Sequence, residues 1–256
     1  MSQLTCDIRI GTSGWHYDHW SGLFYPADLP KSKWFEHYAK DFDTVEINNT
    51  FYQLPKQETF KNWRKQAPKD FLFTVKANRF ITHIKRLKDA EETLPRFFER
   101  AELLKENLGP VLYQLPPSFH KDLDRLTYFL RVLSGCGGLR PDEPKNHTAI
   151  FEFRHKSWYC KDTYKLLDKF NAGLCIHDLI GKESPRIVTG DVVYVRFHGT
   201  EGRYSGSYSK DQLRTWAKWL KEQTNKVRSI YVYFNNDAEA YAVSNAATLK
   251  NELSDL

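Results

Sequence analysis

The chain has 256 residues, 41% of them hydrophobic and 15% aromatic, and 38 Lys and Arg against 32 Asp and Glu give a formal charge of +6. That is ample material for a core, and no apolar run reaches the roughly 18 residues that cross a bilayer, so no membrane-spanning helix is expected. The N-terminus "MSQLTCDIRIGTSGW" has no basic region followed by an apolar segment, and Cys6, Cys136, Cys160 and Cys175 are scattered without a CxxC. A cytoplasmic protein without disulfides or a cysteine-held metal is expected.

Short β-branched or aromatic runs recur along the chain. The first, 8–12, precedes the helix-like "KSKWFEHYAKDF"; the second, 44–48, precedes "QETFKNWRKQA". The third, 72–77, leads into "AEETLPRFFERAELLKENLG", with Gly109 read as its C-cap. The fourth, 111–115, precedes "DLDRLTYFLRVL", and then "SGCGGLRPDEPKNH" (134–147) reads as a flexible loop at the bottom of the fold. The fifth, 149–154, precedes "KDTYKLLDKFN". The sixth, 174–177, is followed by "IGKESPRIVTGD", too short and Pro-broken for a long helix. The seventh and eighth, 192–198 and 230–235, precede "KDQLRTWAKWLKEQ" and "AYAVSNAATLKNEL". Eight strands alternating with helices predict a single TIM-type (β/α)8 barrel domain over residues 1–256, with a reduced sixth helix. The rival is an open doubly wound sheet. It lacks support, because "GTSGWHYDHW" after the first strand is not a GxGxxG fingerprint.

Within these strands apolar and polar residues alternate. Helices cover the outside of such a barrel, so the apolar positions should face outward and the polar ones inward. The inward set is Glu46 and Asn48 in "TVEIN", Lys76 in "FTVKA", Gln114 in "VLYQL" and Glu152 and Arg154 in "AIFEFR". His177 in "GLCIH", Tyr194, Arg196 and His198 in "YVRFH", Tyr233 and Asn235 in "YVYFN", and Arg9 in "IRIG" complete it. Most lie late in their strands, at the C-terminal mouth where barrel sites are built. Four inward cations (Arg9, Lys76, Arg154, Arg196) face two carboxylates (Glu46, Glu152), so two positive charges are left for an anionic ligand or for water at the mouth.

The phrases "GTSGWHYDHWSGLFYP", "FDTVEINNTFYQLP", "FTVKANRFITH", "LYQLPPSF", "FEFRHKSW", "YVRFHG" and "YVYFNND" occur in order from about residue 7 to 253. Together they resemble the YecE-like family, the domain of unknown function 72. The resemblance implies a TIM-type barrel, in outline similar to xylose-isomerase-like and apurinic endonuclease barrels, and on that outline nucleic-acid binding has been suggested. It implies no established biochemical function. The family motifs carry Glu46, Asn48, Lys76, Gln114, Glu152, Arg154, Arg196, His198 and Asn235 of the inward set.

Three chemistries fit these residues. In metal-free acid–base work, Glu46, Glu152, His177 and His198 are the catalytic candidates. Lys76, Arg154 and Arg196 would clamp a phosphate or carboxylate, with Asn48, Gln114 and Asn235 as polar contacts and Trp15, Tyr17 and Tyr52 shaping the rim. Lys76 as a Schiff-base lysine ranks below its role as counter-ion. Metal-assisted hydrolysis could draw on Glu46, Glu152, His177, Asp178 and His198, but the nearby cations oppose it, so no metal and no cofactor is expected. A glycosidase pair of Glu46 and Glu152 is disfavoured by their separation of three strands. Non-catalytic nucleic-acid binding is the alternative, on the basic run "KANRFITHIKRLKD" with aromatics in the first and second loops. In that run and those loops, a solvated surface and a hydrophobic lid of Trp20, Phe24 and Tyr25 are the competing structural explanation. The loop "HGTEGRYSGSYS" is a candidate for phosphate binding through its amides. The partner expected overall is an anionic small molecule or a nucleic acid, with no membrane.

Overall fold

The computed structural model of the chain describes residues 6–135, 147–180, 182–202 and 204–256. Residues 136–146 of the expected flexible loop therefore lie outside the described residues. All eight anticipated strands are present: β1 (Asp7–Ser13), β2 (Thr44–Ile47), β3 (Leu72–Lys76), β4 (Leu108–Gln114), β5 (Ala149–Glu152), β6 (Gly173–Leu179), β8 (Val192–Phe197) and β9 (Ser229–Phe234). A two-residue strand, β7 (Lys182–Glu183), pairs antiparallel with β6. The sheet runs β5-β4-β3-β2-β1-β9-β8-β6-β7, and a further pairing of β5 with β6 closes it. The fold is a TIM-type (β/α)8 barrel.

The helices are α1 (Trp34–Asp41), α2 (Asn49–Tyr52), α3 (Gln57–Gln66), α4 (Ala90–Ala101), α5 (Leu123–Gly135), α6 (Lys161–Lys169), α7 (Lys210–Gln223) and α8 (Tyr241–Ser254). In the connection expected to hold only a reduced sixth helix, the described residues form β7 and no helix. The C-cap assigned to Gly109 is corrected. The helix ends at Ala101, a 3-10 turn (Glu102–Asn107) follows, and Gly109 lies inside β4. Its Cβ would come 3.3 Å from the Phe73 carbonyl oxygen, so glycine there serves close strand approach rather than a turn. Sequence reading also missed α2 and a π-helix at Phe80–Ile84.

Two compact units make up the chain: Met1–Glu46, Ile176–Arg186 and Val192–Leu256 in the first, Ile47–Cys175 and Ile187–Asp191 in the second. In the first unit the sheet order is β2-β1-β9-β8. Thr44 Oγ1 on β2 meets Tyr233 Oη on β9 at 2.6 Å, across β1. Tyr194 and Arg196 on β8 reach Glu46 on β2 across two strands. Neighbouring strands lie about 4.8 Å apart, so such side chains can touch only in the hollow of a strongly curved sheet. These residues therefore line the concave face, as alternation predicts. On the convex face Phe197 packs 4.9 Å from Trp216 of α7.

The second unit obeys the same rule. Tyr113 and Phe151 lie 5.2 and 6.1 Å from Phe129 of α5, and Phe153 stacks 4.6 Å from Trp158. Phe73 faces Trp63 of α3. With those positions under the helices, Lys76, Gln114 and Glu152 fall on the opposite face.

Strands β1 and β2 press closest at Gly11, where a Cβ would meet the Thr44 carbonyl oxygen at 2.3 Å. Gly11→Ala must push the two strands apart. It is expected to lower unfolding free energy in urea by about 1–3 kcal/mol, with the denaturant slope unchanged.

Candidate functional site

In the first unit the site is built around Glu46, which is 0% exposed. Its carboxylate accepts from Ser13 Oγ at 2.5 Å, Tyr194 Oη at 2.5 Å and Arg196 Nη2 at 2.6 Å. Arg196 is itself 1% exposed. A carboxylate so enclosed needs this many donors, one of them charged, to offset its lost hydration. The arrangement makes Glu46 an anchor that orients Arg196. Burial, and then the Glu46 charge, push the Tyr194 phenol well up, so it stays a donor.

One step further along the strands, His198 and Asn235 are partners. Asn235 Nδ2 lies 3.1 Å from His198 Nδ1; with the amide donating, the imidazole carries its proton on Nε2. The His177 ring stands 6.3 Å from that of His198. The loop after β8 is occupied with itself. Glu201 N–H donates to Ser205 O, Tyr204 N–H to His198 O and Ser205 N–H to Gly202 O, while Asn236 Nδ2 holds Gly206 O. Those amides are already used, which weakens the reading of this loop as a phosphate cradle.

The loop after β1 frames the same unit. Tyr17 folds back so that its hydroxyl donates to Ser13 O at 2.5 Å. Gly14, at φ +92°, makes room: a Cβ there would lie 2.7 Å from that hydroxyl oxygen. Burial first, then the charges of Asp237 and Glu46, raise the Tyr17 phenol. Trp15 is half-buried, 5.3 Å from Phe35. Trp20 and Tyr25 are buried and Tyr25 stacks on Trp34 at 4.7 Å, so this part of the aromatic loop is core. Asp237, absent from the expected site, is held here. Its carbonyl accepts from His19 Nε2 and Trp20 Nε1, each at 2.9 Å, and burial pushes its carboxyl up.

The second unit holds its own polar cluster. Glu152, 0% exposed, pairs with Arg154. The Lys76 ammonium lies 4.4 Å from the centroid of Phe51, and Phe51 in turn meets His83 edge-on at 4.9 Å. The Thr50 hydroxyl donates to Lys76 O and Asn78 Nδ2 to Thr50 O, which fixes α2 to the end of β3. Burial, then the charges of Lys76 and Arg79, push His83 down to about 4; Glu152 pulls it the other way and Arg86 adds to the lowering. Asn48 carries a buried Oδ1 without a hydrogen-bond partner among the described residues. Gln114 ends β4, half-buried, and Tyr52 is 72% exposed.

Residues 9–255 match the family described as protein of unknown function DUF72. The chain belongs to the DUF72 family. It is similar to the UPF0759 protein YunF of Bacillus subtilis (strain 168), 28% identical over 271 residues, which covers 93% of this chain and 92% of the relative. The UPF0759 protein YecE of Escherichia coli (strain K12) is 33% identical over 129 residues, 50% of this chain and 45% of that one. Among solved structures, a DUF72 family protein of Thermotoga maritima aligns with a TM-score of 0.83 at 31% identity, covering 97% of this chain and 99% of the other.

Mapped onto this DUF72 chain, the expected site residues fall into two groups. Glu46, Arg196, His177, His198, Asn235, Trp15 and Tyr17 belong to the first unit; Asn48, Tyr52, Lys76, Gln114, Glu152 and Arg154 belong to the second. The charge surplus inferred from alternation is revised. Arg9 pairs with Asp7 at 2.8 Å and Asp43 at 3.1 Å, near the N-terminal end of β1. Arg154 and Arg196 each have a carboxylate too. Around His83, Lys76, Arg79 and Arg86 act against Glu152. Among the described residues no three or more His, Cys, Asp or Glu side chains are grouped to hold a metal, and no helix is long and apolar enough to cross a membrane.

Two outcomes are expected. Glu46→Ala strands the buried guanidinium of Arg196 and should cost about 3–5 kcal/mol in urea unfolding; Glu46→Gln, which keeps an acceptor for the hydroxyls, should cost less. His83 titrates near 4 against an ordinary 6.5, so the stability tied to its neutral form is present above pH 6.5 and lost as pH falls through about 4. His83→Gln should therefore flatten the decline of melting temperature across that window.

Proposed function

We propose that this DUF72 protein binds a phosphate- or carboxylate-bearing ligand through the cations at the C-terminal ends of β3 and β5, namely Lys76, Arg79, Arg86 and Arg154. The observation that carries this reading is the placing of the Lys76 ammonium 4.4 Å over Phe51, whose ring meets His83 at 4.9 Å, with Arg79 and Arg86 beside them and Glu152 as the opposing carboxylate. Beyond burial, three separate cations lower the affinity of His83 for a proton, and the field that repels a proton attracts an anion. A neutral imidazole amid cations can still donate one hydrogen bond to such a ligand, and the orphaned Asn48 Oδ1 can take a donor from it. Arg154, tied to Glu152, is oriented rather than free to swing. Glu46, His177 and His198 of the first unit, with Asn235 orienting His198, and Glu152 of the second are the proposed acid–base groups, each within its own unit.

A single strand of nucleic acid is the second reading of the same cations. What favours it is the exposure of Tyr52 and Phe80, 72% and 44%, with the Lys85 ammonium 5.6 Å from the Phe80 centroid. Exposed rings beside cations suit base stacking with phosphate contact.

The His83 resonance tests the proposal directly. Saturating inorganic phosphate should raise its midpoint from about 4 toward 6.5, as the bound anion offsets the cations. Lys76→Met should raise the midpoint without ligand and weaken phosphate binding about tenfold, the loss of one charge-assisted contact. An unmoved His83 at saturating phosphate would overturn the reading. Oligonucleotide affinity that falls steeply with salt, with no response to phosphate alone, would transfer it to nucleic acid.

A further inference from the structure

His198 is 1% exposed, and its ring is steadied on one side by a neutral amide, that of Asn235. The two peptide groups that flank it are both governed by one residue on the neighbouring strand. The His198 N–H donates to the Asp178 carbonyl at 2.9 Å. The next N–H, of Gly199, donates to Tyr208 Oη at 3.2 Å, and that hydroxyl donates in turn to the Asp178 carboxylate. Gly199 sits at φ +102° with its Cβ position 2.0 Å from Ser205 O, so only glycine fits this turn. The Tyr208 ring is wedged 5.0 Å from Phe197, and its N–H is held by Asn245 Oδ1 at 3.1 Å. Tyr208 is thus held both by its ring and by its backbone.

Asp178 offers Tyr208 its acceptor at an electrostatic cost, which an amide in its place would lower. Asp178 is 8% exposed, and its Oδ1 is buried without a hydrogen-bond partner among the described residues. Glu183 stands directly opposite it in the β6–β7 pair. Burial, reinforced by Glu183, raises its proton affinity, while Tyr208 and Arg186 lower it. Arg186 is shared with Glu183 at 2.5 Å and with the face of Trp216. A neutral side chain would avoid this cost.

We propose that Asp178 and Tyr208 are positioning residues for His198: together they fix the peptide groups on either side of it and so aim its imidazole at the place where Asn235 sets its tautomer. Neither residue touches a ligand in this role. The inference does not rest on the anion reading, because its test observes the imidazole itself in the unliganded protein.

The test combines nitrogen-15 histidine spectra with acylation of His198 by diethyl pyrocarbonate, read by peptide mass spectrometry. Tyr208→Phe keeps the ring and removes the hydroxyl. It should shift the His198 ring signals and raise its acylation rate about five- to tenfold, the scale of one lost hydrogen bond. Asp178→Ala should do the same. Asp178→Asn still offers an oxygen to Tyr208; it should leave the acylation rate within about twofold and raise the melting temperature above the carboxyl's own titration. The proposal is overturned if Tyr208→Phe lowers stability yet leaves the His198 signals and acylation unchanged, for then the pair is a structural clip. Should Tyr208→Phe fail to fold, equal His198 behaviour in Asp178→Ala and Asp178→Asn overturns it instead.

Discussion

A carboxylate with no exposure must be surrounded by donors, and Glu46 dictates what surrounds it. Its three donors come from β1 and β8, so one buried charge ties together strands that are not neighbours in the sheet. The hydrophobic residues on the convex face drive the strands under the helices, but they do so without direction. The polar hollow supplies the direction: Arg196 can satisfy Glu46 only if the sheet curves enough to bring β8 within reach of β2. A slip of either strand by one residue would turn the carboxylate or the guanidinium into the apolar layer beneath the helices, at a cost of several kcal/mol. The same hollow that holds the candidate chemistry therefore also fixes register.

Alternation made most of this legible. In a barrel the two faces of every strand meet different surroundings, so the period of two carries through each of the eight strands, and the inward set can be read from residue order alone. What could not be read is who meets whom. Nothing in the order of residues says that Tyr194 belongs to Glu46, 148 positions earlier. Arg9 shows an avoidable omission: it was counted as an inward cation without a counter-charge, but Asp7, two residues earlier on the same face, was a partner in plain view. Gly109 shows an unavoidable error, since a glycine after a helical run signals a cap unless the adjoining strand is known to press against it.

The candidate site was legible in its residue types more than in its electrostatics. His83 stood inside the basic run but outside the expected set. Its perturbation comes first from burial of a ring carried on a π-helix beside Phe51 of α2, a geometry with no sequence signal, and then from Lys76 and Arg79 of the same basic run. Asp237 was missed for a related reason: the contacts that hold it come from His19 and Trp20, more than 200 residues away.

The fold-back of Tyr17 onto Gly14 has a genetic consequence. The glycine supplies both the left-handed backbone and the vacancy into which the phenol drops, so any larger residue at 14 evicts the ring and exposes Ser13. A saturation screen of this loop should report two intolerant sites, three residues apart, that share one cause.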